Sequence, residues 1–240
     1  MLYKKKSLLS IILFAVAVQF ILIVIINYTK ANGELLDYDS SLAIRHAVEM
    51  WKNGLFLDDW NYLTSLEIDC AAFFAAPIYI VTGNLGLSLA IVHCILYIFI
   101  VYILYDISIE MSVSIVQFLF SVLLLFTPYT SGQLEWANML FIGAGQYEFR
   151  LITMLLLIDL ILISNKEHTN NRKYIVTLII YSIFNFWTSL STGNYVLLMI
   201  IAPIVVWFAF KVLWEKSFSV FDKLTILIGL SIFVSLIGMI

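Results

Sequence analysis

The chain has 240 residues, of which 62% are hydrophobic and 12% charged, and its mean hydropathy is +1.01. A soluble domain of this length has too little interior to bury so much apolar side chain, so the composition predicts a helical protein surrounded by lipid. The formal net charge of −3 lacks the basic character of a nucleic-acid-binding protein. Cys70 and Cys94 lie in apolar runs and fit neither a disulfide framework nor a metal-binding pattern.

The first apolar run, residues 8–27, follows three lysines at positions 4–6. A run of about 20 residues is long enough to cross a hydrocarbon core of about 30 Å. It is also longer than the apolar part of a signal peptide, and no pair of small residues at a cleavage-site spacing follows it. The pattern predicts an uncleaved signal-anchor helix with the N-terminus in the cytoplasm.

Further apolar segments follow at 85–105, 112–130, 149–164, 174–190, 194–212 and 224–240. Together with the first run they predict an all-α, polytopic membrane protein with about seven transmembrane helices. We expect one transmembrane domain over 1–240, in which an outer loop at 28–84 precedes a helix bundle at 85–240. Because the sequence ends inside the apolar run SIFVSLIGMI, we also expect it to be part of a longer protein.

The segment 70–83 is apolar but too short for an ordinary membrane span. If it does not cross, nine of the thirteen Lys and Arg residues fall on the cytoplasmic side; if it crosses, nine fall outside. The positive-inside rule therefore predicts a helix at the outer face, capped by Asp69 and ended by Gly83. This topology places the loops 28–84 and 131–148, and a short turn at 190–194, on the outer face.

The stretch from Asp39 to Gly54 has the pattern of an amphipathic helix. Asp39 or Ser40 is a natural N-cap, and Gly54 is a natural stop. Its apolar residues recur at helical spacing: Ile44, Ala47, Val48, Trp51 and Leu55. A helix of this kind beside a membrane anchor is expected to lie flat in the membrane interface.

These features of the first outer loop resemble the GT-C superfamily of membrane glycosyltransferases. In that family an acidic residue follows the first transmembrane helix, here Asp37 or Asp39. An interfacial helix of the form A…(M/L)…G comes next, here AVEMWKNG (47–54), and then a short apolar helix ending in Gly, here AAPIYIVTGN (75–84). The resemblance covers roughly residues 8–150. It implies an enzyme of the bacterial plasma membrane that takes a sugar from a polyprenyl-phosphate donor on the outer face.

The resemblance also implies that the acidic residue of the first loop is the catalytic base, with Asp39 the first candidate and Asp37 the second. A carboxylate can accept the proton of an acceptor hydroxyl, or bind a divalent metal that steadies a phosphate leaving group. The alternative is that Asp39 caps the following helix and Asp37 is solvated. The same alternative applies to the Asp58–Asp59 pair, which is typical of a solvated turn.

Substrate-binding candidates lie in and beside the second outer loop: Glu135, Tyr147, Glu148 and Arg150. Arg150 could pair with a lipid phosphate, because guanidinium matches phosphate geometry, or it could pair with Glu148 or extend to the interface. Tyr147 also suits an aromatic belt. GT-C enzymes often carry a second acidic site for a metal or donor phosphate here, but this loop has no Asp and no D-x-D or E-x-D. The metal ligands therefore stay unknown.

Polar residues inside the apolar segments have two readings. Asn185, Trp187 and Thr188 could line an outer vestibule or form hydrogen bonds between helices. Asp159 lies towards the cytoplasmic end of its segment, which favours a contact between helices, with Gln117 as a candidate partner, over chemistry at the outer face.

Two other function classes stay open besides the glycosyltransferase with its lipid-linked sugar donor. One is a transporter, flippase or polysaccharide polymerase, although the predicted spans hold few charges and no paired broken helices. The other is a non-catalytic membrane protein on the same scaffold, because a fold does not guarantee an activity.

Overall fold

The computed structural model describes residues 2–32, 36–58, 66–127, 140–165, 171–215 and 222–239, and all regular structure in these ranges is helical. The chain divides into two compact units. The described parts of 1–60 and 70–148 form the first unit, and those of 61–69 and 149–240 form the second. The prediction of one transmembrane domain over 1–240 stays a prediction, and the units are described separately.

The first unit contains five helices, which pack through small and branched apolar side chains. They are α1 (Leu2–Asn32), α2 (Tyr38–Asn53), α3 (Ala71–Thr82), α4 (Leu85–Glu110) and α5 (Ile115–Phe126). Helix α1 packs on α4 and α5, and α3 packs on α2 and α4. Buried alanines on α2 and α3, among them Ala43, Ala47 and Ala75, allow the close backbone approach that is typical of helices packed in membranes.

Helix α2 confirms the helix predicted after the first apolar run, and Gly54 ends it as expected. The N-cap was predicted wrongly: Asp37, rather than Asp39 or Ser40, caps the helix, and its side chain accepts a hydrogen bond from the Ser40 backbone N–H. The cap therefore lies two residues earlier than the apolar pattern suggests. The buried face includes Ile44 and Ala47, whereas Trp51 is half-exposed.

Helix α3 has only 12 residues, so at 1.5 Å per residue it is about 18 Å long and does not match a core of about 30 Å. Gly83 ends it in a left-handed conformation (φ 67°), as predicted. The expectation that Asp69 caps this helix is wrong. The N-cap is Cys70, which makes no side-chain capping bond, and the Asp69 carboxylate binds other groups instead.

The second unit is built from the later helices: α6 (Glu148–Ser164, from Phe149 onward), α7 (Asn171–Tyr195), α8 (Ala202–Glu215) and α9 (Lys223–Gly238). A π-helical segment, Val196–Ile201, joins α7 to α8. Thr192 has a non-helical backbone (φ −144°, ψ 47°), so the break lies in the turn predicted at 190–194, although no separate loop separates the two helices. Helix α9 packs on α7 and on the π-helical segment.

Three described helical stretches are long and apolar enough to cross a membrane: Ser7–Thr29, Leu85–Glu110 and Asn171–Trp214. They indicate a membrane protein. The third stretch has 44 residues, about twice the length that one crossing needs, and it contains the break at Thr192. Ala71–Thr82, Ile115–Phe126 and Lys223–Gly238 are apolar but shorter. The predicted count of about seven spans is not confirmed.

Candidate functional site

A buried loop with two left-handed glycines organises the polar groups of the first unit. This loop, Phe141–Gly145, is called the glycine loop here, and each of its residues is buried. Gly143 (φ 68°) and Gly145 (φ 59°) adopt a conformation that residues with a Cβ rarely take. Because loop backbone has no helical partners, its buried N–H and C=O groups need other hydrogen-bonding groups.

Asn27, near the end of α1, satisfies two of those groups. Its amide nitrogen donates to the Phe141 carbonyl at 2.9 Å, and its amide oxygen accepts from the Gly143 N–H at 2.9 Å. The nitrogen also donates to the Ile23 carbonyl within α1. Asn27 is almost fully buried, so this two-way pairing fixes the loop against the first helix.

Ser40 joins the loop to the start of α2. The Ala144 N–H donates to Ser40 Oγ at 3.3 Å, and the same hydroxyl donates to Asp37 Oδ2 at 3.0 Å. The other oxygen of Asp37 accepts from the Ser40 N–H at 2.7 Å. The Ala72 N–H, at the start of α3, donates to the Ala144 carbonyl. One of the two catalytic candidates is therefore connected through one hydroxyl to the glycine loop.

The two candidate carboxylates differ in their partners. Asp37 is exposed but uses both oxygens in capping α2. Asp39 is exposed in the first turn of α2 and has no hydrogen-bond or ion-pair partner within the described part of the chain. Asp39 is thus the carboxylate with free acceptor capacity. Its catalytic role stays a prediction, as does that of Asp37.

His93 and Glu148 form a buried pair against the glycine loop. His93 lies on α4, and its Nε2 is 2.9 Å from the Gly143 carbonyl oxygen. Its Nδ1 lies 3.1 Å from Glu148 Oε2, and both side chains are almost completely buried. Substrate binding by Glu148 stays a prediction, but the structure places this carboxyl in the interior of the unit beside an imidazole.

The remaining candidates of the second outer loop differ in what the structure shows. Tyr147 is half-buried two residues after the glycine loop, and its role in substrate binding stays a prediction. Glu135 lies outside the described residues. The pair Asp58–Asp59 is described only at Asp58, which is exposed, as a solvated turn requires.

An apolar groove of about 580 Å³ follows α1 to the glycine loop. Its lining comes from α1, from α5 and its end, and from the first two loop residues: Ile11, Phe14, Ala15, Val18, Gln19, Leu22, Ile23, Ile26, Leu123, Phe126, Thr127, Phe141 and Ile142. The Gln19 side chain connects the two helices by donating to the Leu123 carbonyl and to Thr127 Oγ1. The groove therefore offers hydrocarbon surface that ends at the loop held by Asn27.

In the second unit, the buried Asp69 forms an ion pair with the partly exposed Arg150. Arg150 Nε donates to Asp69 Oδ2 at 3.0 Å, and its guanidinium lies 4.8 Å from the centre of the Tyr195 ring. Asp69 also accepts from Ser191 Oγ at 2.5 Å and from Thr192 Oγ1 at 3.3 Å. The sequence offered Glu148 as a partner of Arg150 and did not identify Asp69. The proposed contact of Arg150 with a lipid phosphate stays a prediction.

Polar residues on α7 bind neighbouring backbone and side chains of the second unit. This favours hydrogen bonds between helices over the lining of an outer vestibule. Asn185 Nδ2 donates to the Ser231 carbonyl, Trp187 Nε1 donates to the Ile68 carbonyl, and the hydroxyls of Thr188 and Thr153 lie 3.2 Å apart. Asp159 is buried on α6, while Gln117 joins the Ser114 capping box at the start of α5.

Sequence reasoning missed Asn27, His93 and the glycine loop, and it misassigned Asp69. For the missed features a signal was present: a polar residue in an apolar run for Asn27 and His93, and two glycines separated by one residue before a helix for the loop. Within the described ranges, no three His, Cys, Asp or Glu side chains come close enough to hold a metal ion. Comparisons with family models, curated proteins and solved structures found no match to the chain.

Proposed function

We propose that the protein is a membrane glycosyltransferase that takes a sugar from a polyprenyl-phosphate donor, with its site at the start of α2. The observation that carries the proposal is that two features meet at one loop. Phe141 and Ile142 line the apolar groove, and Ala144, two residues on, binds the Ser40 hydroxyl that holds Asp37. A hydrocarbon chain in the groove would bring its phosphate towards the α2 N-terminus.

The α2 N-terminus suits a phosphate-bearing substrate for physical reasons. The first backbone N–H groups of a helix and its dipole favour negative charge. The groove is apolar over almost its whole lining, so it favours a hydrocarbon chain over water. An anion carried on a long lipid satisfies both conditions at once, and this is the chemistry of a lipid-linked sugar.

In the proposed reaction Asp39 acts as the general base. The acceptor oxygen forms a bond to the anomeric carbon of the sugar while the bond from that carbon to the phosphate oxygen breaks. The acceptor proton passes to the Asp39 carboxylate, and polyprenyl phosphate leaves. Asp39 is favoured over Asp37 because its oxygens are not engaged in the cap. Tyr147 and Glu135 stay predicted substrate-binding residues in this proposal, whereas Glu148 lies against His93 and Arg150 pairs with Asp69.

The test measures release of polyprenyl phosphate by the purified protein from a panel of polyprenyl-phosphate sugars in lipid vesicles, with an extract of cell-envelope material supplying the acceptor hydroxyl groups. Asp39→Asn removes the base, so we expect a loss of about 100-fold or more in rate. Asp37→Asn keeps a good N-cap, because Asn and Asp cap helices about equally. It therefore tests the negative charge of Asp37 without removing the cap of α2. The exposed Asp58→Asn is the matched control.

Full activity in both Asp39→Asn and Asp37→Asn would reject the site. If the wild-type protein binds polyprenyl phosphate but releases none from any donor, the lipid-carrier class, a flippase or transporter, is favoured instead. The groove explains lipid binding in both cases, and only the Asp39 carboxylate distinguishes them.

A further inference from the structure

The two groups that His93 faces, a carbonyl and a carboxyl, determine which of its ring nitrogens carries a hydrogen. A carbonyl oxygen only accepts, so His93 Nε2, 2.9 Å from the Gly143 oxygen, must carry a hydrogen. His93 Nδ1 lies 3.1 Å from Glu148 Oε2. If neither group carried a proton at this contact, two lone pairs would face each other in a buried site. One proton therefore lies between Nδ1 and the carboxyl oxygen, whichever of the two atoms holds it.

Burial makes each member of the pair depend on the other. Within the described part of the chain, neither oxygen of Glu148 has a hydrogen-bond partner of ordinary geometry, so the 3.1 Å approach of His93 Nδ1 to Oε2 is the polar contact that compensates this carboxyl. A buried polar group without a partner is costly. Gly145 closes the pair in, since a Cβ at that position would lie 2.8 Å from His93 Cε1 and 2.9 Å from Glu148 Oε2.

We propose that His93 and Glu148 are positioning residues that share one proton between Nδ1 and the carboxyl group. The hydrogen on Nε2 then donates to the Gly143 carbonyl oxygen, and this bond holds the glycine loop in place. The loop in turn binds Ser40, which holds the Asp37 cap, and forms the end of the groove. The consequence for substrate rests on the proposed function, whereas the effect on the loop does not.

Two substitutions of Glu148 separate this role from simple packing. In Glu148→Gln the side-chain amide can donate to Nδ1, which leaves the hydrogen on Nε2 and the bond to Gly143 intact. Glu148→Ala removes that partner and lets the ring place its hydrogen on either nitrogen. The loop should therefore stay fixed in the first variant and loosen in the second.

Hydrogen exchange of the full-length protein measures the loop directly. The Gly143 and Ala144 N–H groups bond to Asn27 and Ser40, so their exchange reports the loop's position. We expect Glu148→Ala to speed their exchange at least tenfold and Glu148→Gln to stay within threefold of wild type. Unchanged exchange in α5, which belongs to the same unit as the loop, serves as the folding control. Protection in Glu148→Ala equal to wild type, or equal exposure in both variants, would overturn the proposal.

Nitrogen NMR of the wild-type protein keeps the proposal testable if Glu148→Ala fails to fold. The chain has three histidines, so ¹⁵N-histidine labelling gives few signals, and His93→Gln identifies the one of interest. We expect a proton bonded to Nε2 of His93 in wild type and in Glu148→Gln. A neutral ring with its hydrogen on Nδ1 and none on Nε2 would refute the assignment.

Binding of polyprenyl phosphate in vesicles connects the pair to the proposed site. We expect Glu148→Ala to weaken binding at least tenfold and Glu148→Gln to restore it to within threefold of wild type. Equal weakening in both variants would count against positioning through the shared proton. A wild-type protein that binds no polyprenyl phosphate would count against the proposed function alone, since exchange and NMR still decide the role of the pair.

Discussion

Gly143 and Gly145 show how closely single residues are constrained at the centre of the first unit. Both have positive φ, and a Cβ at Gly143 would lie 2.8 Å from Ser40 Oγ. The backbone conformation and the space around it therefore both require glycine. The spacing of these glycines is visible in the sequence, but the neighbours that exclude a Cβ are not.

Gly143→Ala should destabilise the protein by about 2–4 kcal/mol, because it adds the left-handed strain of a Cβ to a clash with Ser40. Gly83→Ala is the matched control: Gly83 has nearly the same φ of 67°, but nothing lies within 4 Å of its Cβ position. That control should lose only about 1–2 kcal/mol. Denaturant unfolding in detergent measures both, and equal losses would show that the Ser40 contact carries no weight.

Asp69 is the residue at which local reasoning failed most clearly. An Asp just before an apolar helix is an ordinary capping pattern, yet this carboxylate binds Arg150 and Ser191, 81 and 122 positions away. Arg150 has only a small exposed fraction, so its charge needs a partner inside the unit. Nothing in the residues around position 69 specifies that partner.

At the scale of elements, helix ends were predicted well where glycine ends a helix and less well where an acidic residue begins one. Gly54 and Gly83 both end helices as expected. The start of α2 was misplaced, because several polar residues in a row can each serve as a cap. The structure selects Asp37 because Ser40, three residues on, supplies both its N–H and its hydroxyl.

Trp51→Phe tests how α2 is joined to α3. The Trp51 Nε1–H donates to the Phe73 carbonyl at 2.8 Å, and the two rings lie 5.5 Å apart. Phenylalanine keeps an aromatic ring there but has no donor, so we expect a loss of about 0.5–1.5 kcal/mol in unfolding free energy. Trp214→Phe, at a highly exposed tryptophan, is the control and should change stability by less than about 0.5 kcal/mol.

At the scale of the whole molecule, the central question is which helices cross the membrane. Length and apolar composition single out three described stretches, fewer than the seven predicted spans. The difference of four arises because α5, α6 and α9 have only 12, 17 and 16 residues and because α7, the π-helical segment and α8 form one helical run. Apolar runs in a sequence mark burial in lipid or protein, and helix ends decide which of them can span.

Cysteine labelling tests the crossing by α4. At 26 residues this helix is about 39 Å long, enough for one span. Thr82 and Met111 are exposed residues close to its two ends. Each is replaced by Cys in a background without Cys70 and Cys94. The two introduced cysteines should react with a membrane-impermeant maleimide from opposite sides. We expect Thr82→Cys to label from outside. Labelling of both from one side in sealed vesicles would contradict the crossing; detergent, in which both should react, is the control.

The sequence by itself determined that the chain is helical and apolar enough for a membrane, and it located α1, α2 and α3 with both terminal glycines. These features depend on hydropathy and on residues within a few positions of each other. Only the tertiary structure decided which polar groups meet: Asn27 with Phe141, 114 positions apart, and His93 with Gly143, 50 apart. Buried polar atoms take partners wherever packing supplies them, and packing joins residues distant in the chain.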